Sequence, residues 1–496
     1  MTLPQSHRNV VVIGGGLAGI SAAIELAEAG LQVTVLEARP WLGGATFSFA
    51  RRGLTIDNGQ HMFLRSCTAY RDLLAKLGMA DSAPLQDSLD LTVLGQDGQV
   101  RLRRSALPAP LHLARSLARY QLLSVPERIK VAAAVMALQF ADFRNGEASF
   151  GDWLSRKFQD ARARQLFWDL LSVSALNAGS GQADPATAAA AIRTALLATR
   201  RGADLGLPAV PLSRLHGAAA TGLLAKHGAI IRLGVKVVSV QSDPAGGYQI
   251  RLGAVAAADG KPAWLEPTLV TADAVVMAVP AWEAADLAPA ELGTEAARWA
   301  TLEPSPVVSL HVLYGSRVTR LPVAAIVGPQ VLWVADKTAA AGLHTGQYLA
   351  VSIPAADAYV DTPAAVLREE FLEVLSRHFP AAATAGVEDF FVTRERRATI
   401  RQSPGSAAMR PRQPDGLPGL ALAGAWTDTG WPDTMEGAVR SGHGAARKII
   451  ADLRPGAVVT GPARPGAAAA APVSAPPPAP VPEPRVGAHA TTTSRP

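Results

Sequence analysis

Hydrophobic residues follow a strand–helix–strand pattern over the first 37 positions of the chain. Residues 10–13 form a short, continuous apolar run that is typical of a buried strand, and residues 31–36 are predicted to form a second strand, which ends at Glu37. Between these runs, apolar residues recur at the spacing of one helix face, at Ile20, Ala23, Ile24 and Ala27. The chain is therefore predicted to open as an α/β fold.

Similar patterns return after residue 210, separated by long stretches of a different character. Residues 86–210 are predicted to be mostly helical and residues 291–394 to be mixed, because the alternation at 307–313 and 348–353 indicates sheet. The returning elements are a helix at 213–227, an alternating strand at 230–240 with 248–252 as its partner, a buried strand at 272–280, a strand at 420–424 and a helix at 434–453.

A glycine-rich turn connects the first strand to the first helix. Gly14, Gly16 and Gly19 have the spacing Gly-x-Gly-x-x-Gly, which permits a tight turn, close approach of a phosphate and close packing of the helix. The helix N-terminus at Leu17 and Ala18 supplies amides and a positive dipole for a pyrophosphate. Glu37 follows 23 residues after Gly14, where an acidic side chain accepts hydrogen bonds from a ribose.

A dinucleotide site is therefore predicted, with an accidental glycine turn as the alternative. The apolar start does not have the features of a signal peptide, because Arg8 is the sole firm positive charge before it and Glu25 and Glu28 follow where cleavage is expected.

Length and composition limit the class of protein. A chain of 496 residues is expected to form two domains with appendages, and no run reaches the roughly 18 apolar residues of a membrane-spanning helix. Cys67 is the only cysteine, which excludes an internal disulfide and a cysteine-based metal site and suits a reducing cytoplasm. We expect Cys67 to be a small buried hydrophobe rather than a reactive thiol.

The net charge of +6 is concentrated in one segment. Residues 101–145 carry eight basic residues against two acidic ones, interleaved with leucines and other apolar residues. This pattern is typical of a basic amphipathic region on anionic lipid, and a solvated helical cap explains it equally well. Nucleic acid is not an expected partner, because no recognised module accompanies the charge. The basic residues are Arg101, Arg103, Arg104, Arg115, Arg119, Arg128, Lys130 and Arg144.

The composition changes after residue 454. Eleven of the 37 prolines fall in the last 42 residues, among alanine runs without a periodic hydrophobic pattern. Residues 455–496 are therefore predicted to be a disordered tail.

Further motifs narrow the type of cofactor. Arg39-x-x-x-Gly43-Gly44 follows Glu37, and Asp57-Asn58-Gly59-Gln60-His61 follows soon after. Late in the chain stand 424–428, Gly-Ala-Trp-Thr-Asp, and 434–442, Thr-Met-Glu-Gly-Ala-Val-Arg-Ser-Gly. In this order the motifs resemble those of the flavin-containing amine oxidase and phytoene desaturase superfamily.

The resemblance implies FAD. Because strand-like segments and Gly-rich turns return late in the chain, a discontinuous Rossmann-like FAD-binding domain is predicted from 1–85, 211–290 and 395–454. A mixed α+β substrate domain is expected from 86–210 and 291–394. For Asp428 and Thr434, helix capping is the alternative role, and for Val237 it is an ordinary strand position. The implied cofactor-binding residues are Gly14, Gly16, Leu17, Ala18, Gly19, Glu37, Ala38, Arg39, Gly43, Gly44, Gly59, Gln60, His61, Val237, Gly424, Asp428, Thr434, Met435 and Glu436.

Within the superfamily, the chain resembles the hydroxysqualene dehydroxylases in residues 57–61, 174–177, 210–213 and 431–442, and departs from them at 193–207. The resemblance implies reductive removal of an allylic hydroxyl from a C30 polyprenoid, which yields squalene for hopanoid synthesis. The candidate catalytic residues are His61, Asp57 and Asn177. The alternatives are contact with the cofactor or backbone for His61, turn stabilisation for Asp57 and helix capping for Asn177.

The expected partners are a lipid-soluble C30 polyprenoid, an anionic membrane surface and an unidentified electron donor, and no metal is expected. The protein is predicted to be cytoplasmic and peripheral on the inner face of the cell membrane. Three alternatives remain: a carotenoid-type desaturase, an amine oxidase, which is disfavoured because Trp426 and Trp431 offer no tyrosine pair, and a non-enzymatic flavoprotein scaffold.

Overall fold

The computed structural model describes residues 8–143, 148–253, 255–256, 262–263, 268–414 and 417–453. The predicted tail at 455–496 and two residues of the basic segment, Arg144 and Asn145, lie outside the described residues.

The strands form two main sheets, of five and seven strands, and several small sheets. In chain order the strands are β1 (Asn9–Ile13), β2 (Gln32–Glu37), β3 (Ser48–Arg51), β4 (Leu54–Asp57), β5 (Phe63–Leu64), β6 (Asp90–Gly95), β7 (Gly98–Arg103), β8 (Leu205–Gly206), β9 (Ile230–Leu233), β10 (Lys236–Ser242), β11 (Tyr248–Gly253), β12 (Val255–Ala256), β13 (Pro262–Ala263), β14 (Leu269–Ala272), β15 (Ala274–Met277), β16 (Pro304–Tyr314), β17 (Val323–Ile326), β18 (Leu332–Asp336), β19 (Gln347–Pro354), β20 (Val387–Ile400) and β21 (Leu420–Leu422).

Helices occupy the stretches between the strands, and four of them adjoin three π-helical turns, at Arg164–Trp168, Arg193–Leu197 and Ser213–Ala218. The α-helices are α1 (Leu17–Glu28), α2 (Thr68–Lys76), α3 (Ala114–Ala118), α4 (Val125–Phe140), α5 (Phe150–Arg156), α6 (Ala161–Ala163), α7 (Asp169–Leu176), α8 (Pro185–Ile192), α9 (Ala219–Lys226), α10 (Ala281–Leu287), α11 (Gly293–Trp299), α12 (Thr338–Ala341), α13 (Ala364–His378), α14 (Ser406–Met409) and α15 (Met435–Asp452).

The first main sheet is parallel and has the strand order β21-β15-β1-β2-β9. Its strands come from three separate stretches of the chain, and the central strands β1 and β15 are buried along almost their whole length. Helices α1 and α15 pack together on one face of the sheet, where a Cβ at Gly442 would lie 2.3 Å from the Ala18 carbonyl oxygen. The predicted α/β class is confirmed.

The second main sheet has seven strands in the order β20-β16-β19-β18-β17-β6-β7. Helices α4, α5, α7 and α8 form an apolar layer with the β6, β17 and β18 side of this sheet, and α13 packs with residues of β16 and β19. The hairpin β6–β7 lies in the stretch that the sequence predicts to be mostly helical. Strand β20 runs through residue 394, the predicted domain boundary, and the division into domains remains a prediction.

One predicted element proves to be two. The alternating stretch 230–240 is interrupted at Gly234, whose φ of +70° favours glycine. On one side of this turn β9 joins the parallel sheet beside β2, and on the other β10 starts an antiparallel sheet with β11. The prediction of a single strand was therefore wrong, because alternation of apolar residues does not reveal the change of sheet.

In the part of the chain that the structure describes, no helix combines the length and the apolar character needed to cross a membrane.

Candidate active site

The glycine turn after β1 is tight enough to require glycine at two of its positions. Gly14 has a φ of +103°, and a Cβ there would lie 2.4 Å from the Ala278 carbonyl oxygen. A Cβ at Gly19 would lie 1.9 Å from the Gly14 oxygen. At Gly16 a Cβ would have only one distant contact, and no side chain caps the first turn of α1, which begins at Leu17. The uncapped amides of Leu17, Ala18 and their neighbours therefore face a space that suits an anion.

The second glycine pair packs directly against this turn. The Gly43 amide donates to the Gly15 carbonyl at 2.8 Å, and a Cβ at Gly44 would lie 2.7 Å from the Cα of Gly16. Arg39 Nη1 donates to the Gly44 carbonyl at 2.9 Å. The two motifs thus form one backbone cradle that only small residues allow.

Glu37 is turned toward the same cradle. Its Oε2 accepts from the Gly15 amide at 2.6 Å and its Oε1 from the Arg39 amide at 2.7 Å, and the residue is buried. Each oxygen keeps a second lone pair for a ribose hydroxyl. Ala38 is exposed beside it, and the Val235 amide donates to the Glu37 carbonyl, which brings β10 and the buried Val237 close to this region.

Asp57 holds three parts of the chain together. Its Oδ1 accepts from Ser48 Oγ at 2.7 Å and from the Leu212 amide at 2.9 Å. Its Oδ2 lies 3.0 Å from Lys337 Nζ, and both side chains are 5% exposed. Both oxygens are engaged by the chain itself, which agrees with the alternative of a stabilising carboxylate, and the catalytic role of Asp57 stays a prediction.

Lys337 is the residue at this site that sequence reasoning missed. It follows β18, and its main-chain amide donates to the Tyr348 carbonyl. Its Nζ lies at ion-pair distance from Asp57. Even so, Nζ makes no hydrogen bond of acceptable geometry to any described residue. Nothing in the local sequence marks it, because its partner lies in a distant hairpin.

His61 lies at the end of the 57–61 loop and is held by the backbone. Its Nδ1 is 3.2 Å from the Gly59 carbonyl, and a Cβ at Gly59 would lie 2.8 Å from Ser309 Oγ. Burial lowers the pKa of His61, and nearby Lys337 lowers it further, against the Gly59 hydrogen bond and Asp57, which raise it. A neutral imidazole results, so the structure does not support His61 as a charged proton donor.

A buried chain of hydrogen bonds from strands β20, β16 and β19 holds the 57–61 loop in place. Thr393 Oγ1 donates to the Asn58 carbonyl at 2.8 Å, so it accepts from His311 Nε2 at 2.9 Å. His311 Nδ1 then accepts from the Tyr348 hydroxyl at 2.7 Å. Burial lowers the pKa of His311 to about 3, which is consistent with this single neutral tautomer. The sequence gives no signal for this chain of contacts.

Asn177 is held by hydrogen bonds to three other segments of the chain. It ends α7 in a left-handed conformation with φ 52°, which Asn tolerates better than most residues. Its Nδ2 donates to the Ser305 carbonyl and Thr399 Oγ1, and its Oδ1 accepts from the Ala355 amide at 2.6 Å. These contacts agree with the capping alternative, and the catalytic role of Asn177 stays a prediction.

The C-terminal segment returns to the glycine turn. Gly424, with φ +149°, follows β21 and donates to Ser441 Oγ at 2.8 Å. Asp428 faces Arg412 Nε at 3.2 Å and the Gly430 amide, a pairing at the surface. Thr434 caps α15 through the Gly437 amide. The Thr434 side chain therefore caps the helix, which was its alternative role. The main-chain amides at the start of α15 are then the groups that can contact a cofactor.

Met435 and Glu436 are the first two residues of α15, and their side chains have different surroundings. Met435 is half-buried against the core shared by α1 and α15. The buried Glu436 carboxylate accepts from the Ala69 and Tyr70 amides at the start of α2 and from Arg440 Nε. Its side chain therefore fixes α2 to α15, and only its main chain remains for the predicted cofactor role.

Asp433, which the sequence analysis also missed, directly precedes this helix start. Its Oδ2 accepts from the Ile400 amide at 2.7 Å, and its own amide donates to Gln402 Oε1 at 3.0 Å. No described residue donates to Oδ1. Burial raises the pKa of Asp433 to about 6, although the Ile400 hydrogen bond and Arg410 oppose the rise. This carboxyl group can therefore hold a proton near neutral pH.

The residues present fit a flavin dinucleotide. The cradle leaves space beside Gly16, and several buried polar atoms around it have no hydrogen-bond partner among the described residues. Such atoms are uncommon unless a ligand or water serves them. In this region they are Trp41 Nε1, Asn58 Oδ1, Gln60 Oε1 and Lys337 Nζ.

Comparisons with known proteins agree with this arrangement. The family model "Flavin containing amine oxidoreductase" matches residues 17–450. Hydroxysqualene dehydroxylase of Rhodopseudomonas palustris is 30% identical over 452 residues, which cover 90% of this chain and 99% of that protein. Zeta-carotene desaturase of Arabidopsis thaliana is 27% identical over 487 residues, with 89% and 85% covered. The solved structure of cyclohexylamine oxidase from Brevibacterium oxydans has a TM-score of 0.65 at 18% identity, covering 90% of this chain and 99% of that one.

The chain therefore belongs to the flavin-containing amine oxidoreductase family. It is an oxidoreductase whose cofactor is FAD, as the motifs predict. Within the family it is similar to the hydroxysqualene dehydroxylases, and that predicted resemblance is confirmed.

Proposed function

We propose that this protein removes the allylic hydroxyl of hydroxysqualene and replaces it with hydrogen, giving squalene for hopanoid synthesis. The observation that carries the proposal is the similarity to a hydroxysqualene dehydroxylase over 99% of that protein's length. The residues that can hold a cofactor and a proton, described above, support it.

The reaction needs a hydride and a proton. The allylic C–O bond breaks, a C–H bond forms at the same carbon, and the hydroxyl leaves as water after it takes up one proton. Bound FAD in its reduced form supplies the hydride. Each turnover consumes one electron pair, so an external electron donor, still unidentified, is part of the proposal.

Asp433 Oδ1 is our candidate for the proton source. The other oxygen is fixed by the Ile400 amide, so the carboxyl group is oriented, while Oδ1 has no donor among the described residues. Its pKa, raised by burial to about 6, keeps a useful fraction protonated near neutral pH. The position directly before Thr434 puts it beside the helix start that the family resemblance assigns to the flavin ring.

Other residues orient the site and limit water. The Asp57–Lys337 pair and the Tyr348–His311–Thr393 chain fix the 57–61 loop from two sides. We infer that apolar side chains of α4, α5, α7 and α8 line the path of the substrate, because their buried layer excludes the water that would capture an allylic cation.

A desaturase is the second candidate, favoured by the similarity to a zeta-carotene desaturase. Desaturation removes a hydride and requires no proton donor, so it gives Asp433 no acid role. An amine oxidase is disfavoured, because Trp426 is buried, donates to the Val279 carbonyl and packs on Trp299 instead of forming a cage.

The test is single-turnover lipid analysis. Anaerobic, photoreduced holoenzyme is mixed with hydroxysqualene, and squalene is measured over time. We expect squalene from the wild type, at least a hundredfold slower formation by Asp433→Asn, and an unchanged rate in Asp361→Asn, whose side chain is 77% exposed. Hydrogen loss from phytoene by oxidised enzyme supports the desaturase instead, and bound flavin without any turnover supports the scaffold.

We further propose that the substrate enters from an anionic membrane surface. One face of α4 buries Val131, Ala134 and Leu138, yet the opposite face exposes a row of large apolar residues. Exposed arginines accompany this row on α3 and the turn after it, at Arg115 and Arg119. Exposed apolar rows with basic neighbours are typical of helices that lie in a lipid interface. The row consists of Val125, Ile129, Met136 and Phe140, which are 59%, 65%, 43% and 81% exposed.

Vesicle co-sedimentation tests this surface. Ile129→Glu is expected to weaken binding to phosphatidylglycerol vesicles at least tenfold, because it places a charge where lipid contact is proposed. Val366→Glu is the matched control, since Val366 is also exposed, at 49%, but lies on α13. Equal binding by the two variants contradicts the proposal.

A further inference from the structure

A buried carboxylate away from the predicted flavin site is surrounded by three arginines. Asp204 is fully buried and lies 2.9 Å from Arg65 Nε, 2.7 Å from Arg104 Nε and 3.5 Å from Arg201 Nε. Its Oδ1 also accepts from the Leu89 amide at 2.9 Å. Three guanidinium groups on one carboxylate leave two positive charges uncompensated within this cluster.

Unsatisfied hydrogen-bonding groups gather around the same cluster. Ser66 follows Arg65 and Ser105 follows Arg104, and neither hydroxyl has a partner among the described residues. His112 is fully buried, and neither of its ring nitrogens has a partner in the described part of the chain. Its main-chain carbonyl accepts from the Ser105 amide, so Ser105 and His112 belong to one turn, while the Ser66 amide donates to the Gly202 carbonyl close to Asp204.

His112 lies within electrostatic reach of the arginines. Burial lowers its pKa, and Arg104 and Arg200 lower it further, while Asp204 opposes them. The neutral ring keeps one N–H, so the cluster holds three buried donors that nothing in the described structure uses. Buried groups of this kind cost stability unless a ligand or water completes them.

The cluster opens to solvent at one side. Arg201 has a side-chain exposure of 52%, and the exposed Arg200 donates to the Ala106 carbonyl at 3.0 Å, which ties it to the turn that carries Ser105. Leu107 and Leu111, on the same turn, are both 51% exposed. An anion that reaches Arg200 and Arg201 therefore arrives beside two apolar side chains.

We propose that this cluster is a binding site for a phosphate group. Guanidinium groups match the geometry of phosphate oxygens, and the hydroxyls of Ser66 and Ser105 with the His112 N–H supply further donors. The phosphate reaches the site either as a free anion or as part of a lipid headgroup, and the exposed leucines accommodate the lipid. The site is separate from the residues assigned to FAD and does not depend on the proposed reaction.

The experiment uses full-length holoenzyme in phosphate-free buffer at constant ionic strength. Thermal unfolding is followed against inorganic phosphate, and sedimentation is followed with phosphatidylglycerol and phosphatidylcholine vesicles. The variants are Arg200→Gln/Arg201→Gln and Ser105→Ala, which leaves the charge unchanged. The matched control, Arg317→Gln/Arg320→Gln, removes two exposed arginines from the loop after β16.

We expect both cluster variants to bind at least one of the probes about tenfold more weakly, while the control binds as the wild type does. A loss seen with inorganic phosphate identifies a free-anion site, and a loss confined to vesicles identifies a lipid headgroup site. Ser105→Ala should keep or raise the melting temperature without phosphate, because it removes an unsatisfied buried hydroxyl. Equal behaviour of cluster variants and control with both probes overturns the proposal.

Discussion

Replacing Asp433 by Asn is expected to make the protein more stable and less active. The substitution keeps an oxygen that accepts from the Ile400 amide and removes the group whose ionisation burial disfavours. Residues that take part in a reaction often lower the stability of the folded protein. A substitution that raises stability and lowers activity therefore indicates a functional residue.

The magnitude follows from the two pKa values. Burial raises the pKa of Asp433 to about 6 from its ordinary value of 3.8. The folded state therefore binds the proton more tightly than the unfolded state, and stability is lost as the pH rises from 3.8 through about 6. At about 1.4 kcal/mol per pH unit, the raised pKa of Asp433 lowers the unfolding free energy by about 3 kcal/mol at pH 7.5 and about 1.6 kcal/mol at pH 5, relative to a group with no shift.

Urea unfolding of the holoenzyme at these two pH values measures the effect. Asp433→Asn should exceed the wild type in unfolding free energy by about 3 kcal/mol at pH 7.5, and by about half as much at pH 5. Asp361→Asn, on the exposed surface, should show no difference at either pH. A gain in stability that does not depend on pH, or no gain, refutes the reasoning.

Three further substitutions test the cofactor cradle and its supports. Glu37→Ala should weaken FAD binding at least tenfold in a titration of refolded apoprotein, because the Gly15 and Arg39 amides lose their acceptor, whereas unchanged affinity counts against the role. Gly44→Ala should lower FAD occupancy in the purified protein, because its Cβ would meet Gly16 at 2.7 Å, and full occupancy contradicts the contact. Lys337→Met should lower the unfolding free energy in urea by about 3–5 kcal/mol, because it leaves Asp57 unpaired. The double variant Lys337→Met/Asp57→Asn should recover part of that loss. A Lys337→Met variant as stable as the wild type excludes the buried pair.

The glycine cradle could be predicted from sequence because its constraints are local. Gly14 needs a positive φ, and Gly19 has no room for a Cβ against Gly14 five residues earlier. The contact between Gly44 and Gly16 was not predicted, because it joins two motifs that are distant in the sequence. Where backbone geometry alone demands a residue type, a short pattern is sufficient.

The side chains with chemistry could not be assigned in this way. Asp57, His61 and Asn177 are candidates because of their functional groups, yet Asp57 and Asn177 make contacts with Lys337, Ala355 and other distant parts of the chain. Lys337 and Asp433 have no flanking motif that marks them. Their environment is created when β18, β20 and the start of α15 come together, and burial then decides which group holds a proton.

The most direct test of the central claim is the stoichiometry of a single turnover. Anaerobic holoenzyme, reduced with one electron pair per FAD, is incubated with hydroxysqualene, and extracted lipid and flavin oxidation are measured together. The account predicts one squalene formed for each FAD reoxidised. Flavin that stays reduced while hydroxysqualene persists, or an oxidised enzyme that instead removes hydrogen from phytoene, contradicts it.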